Sequence, residues 1–260
     1  MLALELKPVS TGPPAATERA AIDGTGRGSV VVRLRAGFEA FQDTKLYDLL
    51  AAVPLFVWYG FCLAHQVPAL IQQIAQTNFA TADFRLLANL AARISVPVFF
   101  TVLAVLLALR DKPRAKMGGL YPRFAAVAGT YLSVGLVLLP PRELSEVASL
   151  ISTALVLVGT VLSIYVALWL GRSLSMLPQA RRLVTEGPYR YVRHPLYLTE
   201  SLAVAGITLQ YFSPLALALV AFQAIFQLER MRNEEHVLSS TFPEYSAYMA
   251  STARLLPGIY

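Results

Sequence analysis

The chain has 260 residues, 56% hydrophobic and only 15% charged, with 22 Lys+Arg against 16 Asp+Glu for a formal charge of +6. With a mean hydropathy of +0.54, this is a polytopic membrane protein rather than a soluble domain. No basic run is interleaved with aromatics and the cations collect between apolar runs, so the positive balance reads as topology and no nucleic-acid partner is expected. The single cysteine, Cys62, lies in an apolar run, which excludes a disulfide framework and a cysteine-based metal site; no metal is expected.

Residues 1–44 mix Pro13-Pro14, Gly24, Gly26 and Gly28 with scattered charges and no sustained period. They predict a largely disordered cytoplasmic tail with a short interfacial helix near Val30 to Phe41, and they lack the organisation of a signal peptide. Residues 45–182 predict four transmembrane helices. The first apolar run, Leu46 to Ile74, contains Pro54 and Pro68, which should kink or end it; Asp48 and His65, near its two ends, should reach the interface. Leu86 to Leu109 follows, then the densest cationic loop, Arg110 to Lys116 and on to Arg123. The positive-inside rule places that loop and the N-terminus in the cytoplasm. Phe124 to Leu139 and Val147 to Leu170 complete the four. They return Gly171-Arg172 to the cytoplasmic side, together with Arg181, Arg182, Arg190 and Arg193.

Residues 183–260 hold two shorter apolar runs, Leu196 to Tyr211 and Pro214 to Leu228, read as a tight hairpin, and then a polar C-terminal helical region returning to the cytoplasm. The expected fold is thus an all-α bundle of about six membrane segments in an inner bacterial membrane, both termini cytoplasmic. Pro188 and Pro195 frame Arg193-His194 on a turned backbone where the fifth run begins. If the last helix continues past Leu228, Arg230 and Glu234 pair at i, i+4, and Glu235 lies about 100° round from His236. Glu200 points an acid into an otherwise apolar span, where it is either functional or paired with a nearby arginine.

Gly187-Pro188-Tyr189 leading to Arg193-His194-Pro195-Leu196-Tyr197, and downstream Glu234-Glu235, Leu238, Phe242, Glu244-Tyr245, Tyr248 and Pro257, stand in an order and spacing that resembles the isoprenylcysteine carboxyl methyltransferase and phospholipid methyltransferase superfamily, whose signature is RHPxY. The resemblance covers Leu183 to Tyr260. It implies an S-adenosylmethionine-dependent integral membrane enzyme that leaves S-adenosylhomocysteine and methylates a lipophilic small molecule or lipid. The cofactor pocket is then built from Tyr189, Arg193, His194, Pro195, Tyr197, Glu234 and Glu235 and opens sideways to the membrane lipids. A methyl donor of this kind needs carboxylates for its amine and ribose hydroxyls, a cation or imidazole for its carboxylate, and aromatic walls. His194 and Glu235 are the candidate catalytic bases. Arg254 is the third catalytic candidate: the prenylcysteine enzymes carry an arginine where this chain has Ser251, and Arg254 lies one turn on. The family's small residue after the signature tyrosine is here Thr199, which removes the glycine that permits close helix approach.

The acceptor atom, O, S or N, stays open. A sterol-reductase-like enzyme using NADPH is the alternative. It would need Arg181, Arg182, Arg190 and Arg193 around a 2′-phosphate, with Glu234-Glu235 unfavourable beside it. A transporter or scaffold would make the arginines topogenic only.

Overall fold

The computed structural model describes residues 6–8, 37, 41 and 44–258. The tail and its interfacial helix thus lie almost wholly outside the described residues, apart from a short strand, β1 (Leu6–Pro8). Among the described residues seven α-helices of defined extent follow: α1 (Lys45–Gln76), α2 (Phe84–Leu109), α3 (Leu120–Tyr131), α4 (Glu146–Leu170), α5 (Pro195–Gln210), α6 (Pro214–Thr241) and α7 (Tyr245–Ser251), with strands β2 (Ala115–Met117) and β3 (Gln179–Ala180) between them.

The helices begin where side chains cap them. Thr44, Asp83, Ser145 and Ser213 each accept a hydrogen bond from a backbone N–H three residues on, and Pro214 occupies the first turn of α6. Pro54 and Pro68 both lie inside α1, and neither ends it. Of the six expected membrane segments, α1, α2, α4 and α6 are long and apolar enough to cross a bilayer. The third passes from α3 into a 3₁₀ stretch, Leu132–Leu138, and the fifth, α5, has 16 residues, about 24 Å against a ~30 Å hydrocarbon core. The last is longer than its apolar run predicts, because the helix continues unbroken through the charged Glu229 to His236. Val57, Val105, Val158, Phe222 and Ile225 are exposed, forming the apolar outer surface of a protein that meets lipid.

α5 lies against α4 in close backbone contact. A Cβ added at Gly159 would stand 2.5 Å from the Ala203 nitrogen and 2.9 Å from the Thr199 carbonyl oxygen, and one at Gly206 would stand 2.7 Å from the Ser152 carbonyl oxygen. Ser152 Oγ donates to Gly206 O (2.8 Å) and Ser163 Oγ to Thr199 Oγ1 (2.9 Å). Small residues and interhelical hydroxyls are what bring membrane helices together in the absence of a hydrophobic drive. Close approach is therefore kept with Thr199 in place: Gly159 on the facing helix leaves the space, and the threonine hydroxyl serves as a hydrogen-bond donor and acceptor.

At one end of the bundle β1, β2 and β3 form an antiparallel three-stranded sheet, Leu6 opposite Met117 and Ala115 opposite Ala180. A parallel bridge joins Val192 to Ala253 at the same end. The N-terminal strand, both basic loops and residues 252–254 thus share one face of the bundle.

Gly159→Val forces side-chain atoms into the α5 backbone, which cannot yield as a flexible side chain would. Such overpacking should cost about 1–3 kcal/mol, read as a lower Tm in detergent. Val158→Ala, one residue away on the exposed face, is the control and should leave Tm nearly unchanged.

Candidate active site

The loop before α5 is shaped by its glycine and prolines. Gly187 has φ +60°, and an added Cβ there would collide with the Trp169 indole, so the turn suits glycine on both counts. A 3₁₀ turn over Gly187–Arg190 follows, and Pro195 is the first residue of α5 with His194 as its cap. The loop is then fastened to the C-terminal segment: Arg193 N donates to Ala253 O (2.8 Å) and His194 N to Arg254 O (3.1 Å).

Glu235, on α6, ties these pieces together. Its carboxylate accepts from Arg193 Nε (2.8 Å), His194 Nε2 (3.1 Å) and Arg254 Nη2 (2.6 Å), and its side chain is only 6% exposed. An ionised carboxylate can only accept, so the His194 hydrogen sits on Nε2. The other ring nitrogen, Nδ1, stands 3.9 Å from Glu234 Oε2. Arg193 also donates to the carbonyls of Met249 and Thr252.

Glu234 is engaged differently. It accepts from the Tyr197 hydroxyl and from Arg230 Nε (3.2 Å), which confirms the expected i, i+4 pair, and at 19% side-chain exposure it is the more open of the two glutamates. The Tyr197 ring stacks on the His194 imidazole with centroids 5.4 Å apart and carries the Arg230 guanidinium 4.7 Å from its centre. Arg230 reaches on to Thr130 Oγ1 of α3 (2.8 Å). Burial pushes the phenols of Tyr189 and Tyr245 above their ordinary range, and that of Tyr248 to about 12, so at neutral pH all three remain protonated donors.

These groups border a cavity of about 680 Å³. Arg193, His194, Tyr197, Arg230 and Glu234 form its polar wall, with Tyr189, Tyr245 and Tyr248 beside them. From there it extends along the helices between Trp58 and Tyr59 of α1, Phe99 and Phe100 of α2, and Val134. Glu235, Arg254 and Pro195 are not in its lining; they brace the wall from behind. Of the residues expected at the site, Tyr189, Arg193, His194, Tyr197 and Glu234 face the cavity. Arg254, expected at the acceptor, instead completes the Glu235 clamp. Ser251 is exposed and bonds back to Ala247 O and Tyr248 O within its own helix.

Two features went beyond the sequence reading. Arg230 belongs to the wall as much as its partner Glu234 does, a role that the i, i+4 spacing announces but does not locate. Asp48, expected at the interface, is only 4% exposed and is held by Arg110 Nε (2.7 Å) and Arg181 Nη2 (2.9 Å). Those partners lie 62 and 133 residues away, so no local pattern could reveal them.

Glu235→Ala leaves Arg193, His194 and Arg254 without their shared counter-charge. Removing one partner of a buried charge cluster typically costs about 3–5 kcal/mol. Tm in detergent should fall accordingly, while Glu229→Ala, on the same helix with its acid paired at the surface to Arg232, should fall by less than about 1 kcal/mol.

Residues 147–245 match the family model for phospholipid methyltransferases. The chain is also similar to two curated proteins: a nickel-cobalt-cadmium resistance protein, NccN, of Alcaligenes xylosoxydans xylosoxydans (34% identical over 80 residues, 30% of this chain and 38% of that protein), and a cobalt-zinc-cadmium resistance protein, CzcN, of Cupriavidus metallidurans (36% over 76 residues, 29% and 35%). The matched stretch spans little more than a third of either relative. The match over residues 147–245, from the first turn of α4 to the start of α7, covers somewhat over a third of the chain and suggests a membrane methyltransferase.

Proposed function

We propose that this protein is an S-adenosylmethionine-dependent membrane methyltransferase whose acceptor is a lipophilic molecule reaching the cavity from the bilayer. The observation that carries the reading is the composition of one cavity: a wall of carboxylate, imidazole, guanidinium and phenols that continues into an apolar chamber between transmembrane helices. A nucleoside with an amino-acid tail fits the first part and a hydrocarbon the second.

Glu234, Tyr197, His194 and Arg193 would hold S-adenosylmethionine, with Tyr189 and Tyr245 as aromatic walls; Glu235 and Arg254 hold Arg193 and His194 in place. When bound, S-adenosylmethionine supplies an electrophilic methyl group. The protein's own contribution is alignment and exclusion of water, for which orientation alone makes about 7–11 kcal/mol available. Glu235, already accepting from two guanidiniums and an imidazole, is a brace rather than a base. In the same reading the face carrying the sheet and the basic loops is cytoplasmic, as the positive-inside rule requires.

The NADPH alternative loses support on one observation. Of the four arginines it needs, Arg181 is taken by Asp48 and Arg190 is not in the cavity lining.

Calorimetric titration of the purified protein with S-adenosylhomocysteine and NADPH decides between them. Binding of S-adenosylhomocysteine is expected, and binding of NADPH alone would overturn the proposal. Glu234→Gln should weaken S-adenosylhomocysteine binding by about tenfold, some 1.4 kcal/mol.

A further inference from the structure

α5 turns one face to α4 and another to the cavity. On the cavity face Tyr197, Glu200, Val204 and Ile207 recur at helical spacing. Glu200 is half-buried, and among the described residues its carboxylate makes no hydrogen bond or ion pair. Every other acid near the cavity is matched: Glu234 by Arg230 and Tyr197, Glu235 by Arg193, His194 and Arg254, and Asp48 by Arg110 and Arg181. Arg181, Arg193 and Arg230 each already pair directly with one of those acids, and the remaining lining arginine, Arg182, is exposed. Among the described residues Glu200 is therefore the acid on the chamber wall without a direct partner; Arg230 acts on it electrostatically from beyond hydrogen-bond distance, and Tyr59 lines the same chamber. A carboxylate desolvated without a partner is costly, and intramembrane acids of this kind mark function.

The geometry points to Glu200 as the group that takes a proton from the acceptor, and hence to an acceptor whose nucleophile bears a hydrogen (an amine, thiol or hydroxyl) rather than a carboxylate. This rests on the methyltransferase reading above. A carboxylate acceptor would meet the like charge of Glu200 at low dielectric. The arginine such an acceptor requires is missing, since Ser251 is exposed on α7 and Arg254 is committed to Glu235 behind the wall. In the step, the acceptor N–H, S–H or O–H proton passes to a Glu200 oxygen. The freed electron pair forms the new bond to the methyl carbon as the carbon–sulfur bond breaks, leaving its electrons on sulfur, and the proton then leaves Glu200 for water.

The test uses the full chain, wild type and Glu200→Gln, in nanodiscs of neutral lipid, with S-adenosylhomocysteine affinity and Tm measured first. Both should change little on substitution, S-adenosylhomocysteine affinity by no more than about twofold. If S-adenosylhomocysteine binds neither protein, the methyltransferase reading fails, while the following ratio still reports on Glu200. Octylamine should bind the wild type more tightly than octanoate, and Glu200→Gln should lower that ratio at least tenfold. An unchanged ratio, tighter binding of octanoate to the wild type, or binding of neither probe overturns the inference. Turnover with S-adenosylmethionine then separates the nucleophiles: octylamine, octanethiol or octanol should be methylated, with kcat lowered about 10²–10⁴-fold by Glu200→Gln. Transfer to octanoate alone, or undiminished turnover by the variant, overturns it; where no probe is methylated, the binding ratio decides.

Discussion

The arrangement depends on one carboxylate. Glu235 is the shared acceptor of two guanidiniums and an imidazole that come from two separate parts of the chain, Arg193-His194 and Arg254. It stands on a helix that is itself a membrane span, so the rigid α6 fixes the height at which the polar loop and the C-terminal segment meet. Charge-assisted bonds of this kind are strong and directional in a poorly hydrated setting, and they are costly to leave incomplete. The adjacent residue can then face the other way. Because Glu235 absorbs the neighbouring arginines, Glu234 is left to point at the cavity, met by Arg230 and a phenol with the His194 ring close by.

A second constraint is the α4–α5 contact. Gly159 and Gly206 allow the two backbones to touch, and the hydroxyls of Ser152, Ser163 and Thr199 fill the polar needs of that seam. Once Thr199 and Gly206 are committed to α4, the rotation of α5 about its axis is fixed. Tyr197 and Glu200 have no choice but to face the cavity. The shortness of α5 has the same origin in the sequence, since the helix starts at Pro195 and ends at Gln210 before the Ser213-Pro214 cap of α6.

What the sequence disclosed was mostly local. Pro195 as a helix start, the Arg230–Glu234 pair and the turn around Gly187 all follow from neighbours within a few residues, and the long apolar runs gave four helices of spanning length. What it withheld was non-local. Asp48 looks like any acid at the end of a span until Arg110 and Arg181 are folded onto it. Arg254, placed by spacing near an acceptor, is diverted by Glu235, whose two other donors are 41 and 42 residues upstream. The third segment passes into a 3₁₀ stretch at Leu132, which an apolar run does not foretell, because hydropathy records burial and not the pitch of the backbone.

The bridge from Val192 to Ala253, with the Arg254 guanidinium beside it, also sets an order of events. Chains emerge from the ribosome N-terminus first, so α1 to α6 have been made before residues 252–254 appear. Completion of the polar wall is therefore later than synthesis of the helices that carry the rest of it. Until residues 252–254 deliver a guanidinium and backbone carbonyls, Arg193 and His194 have yet to be drawn into register.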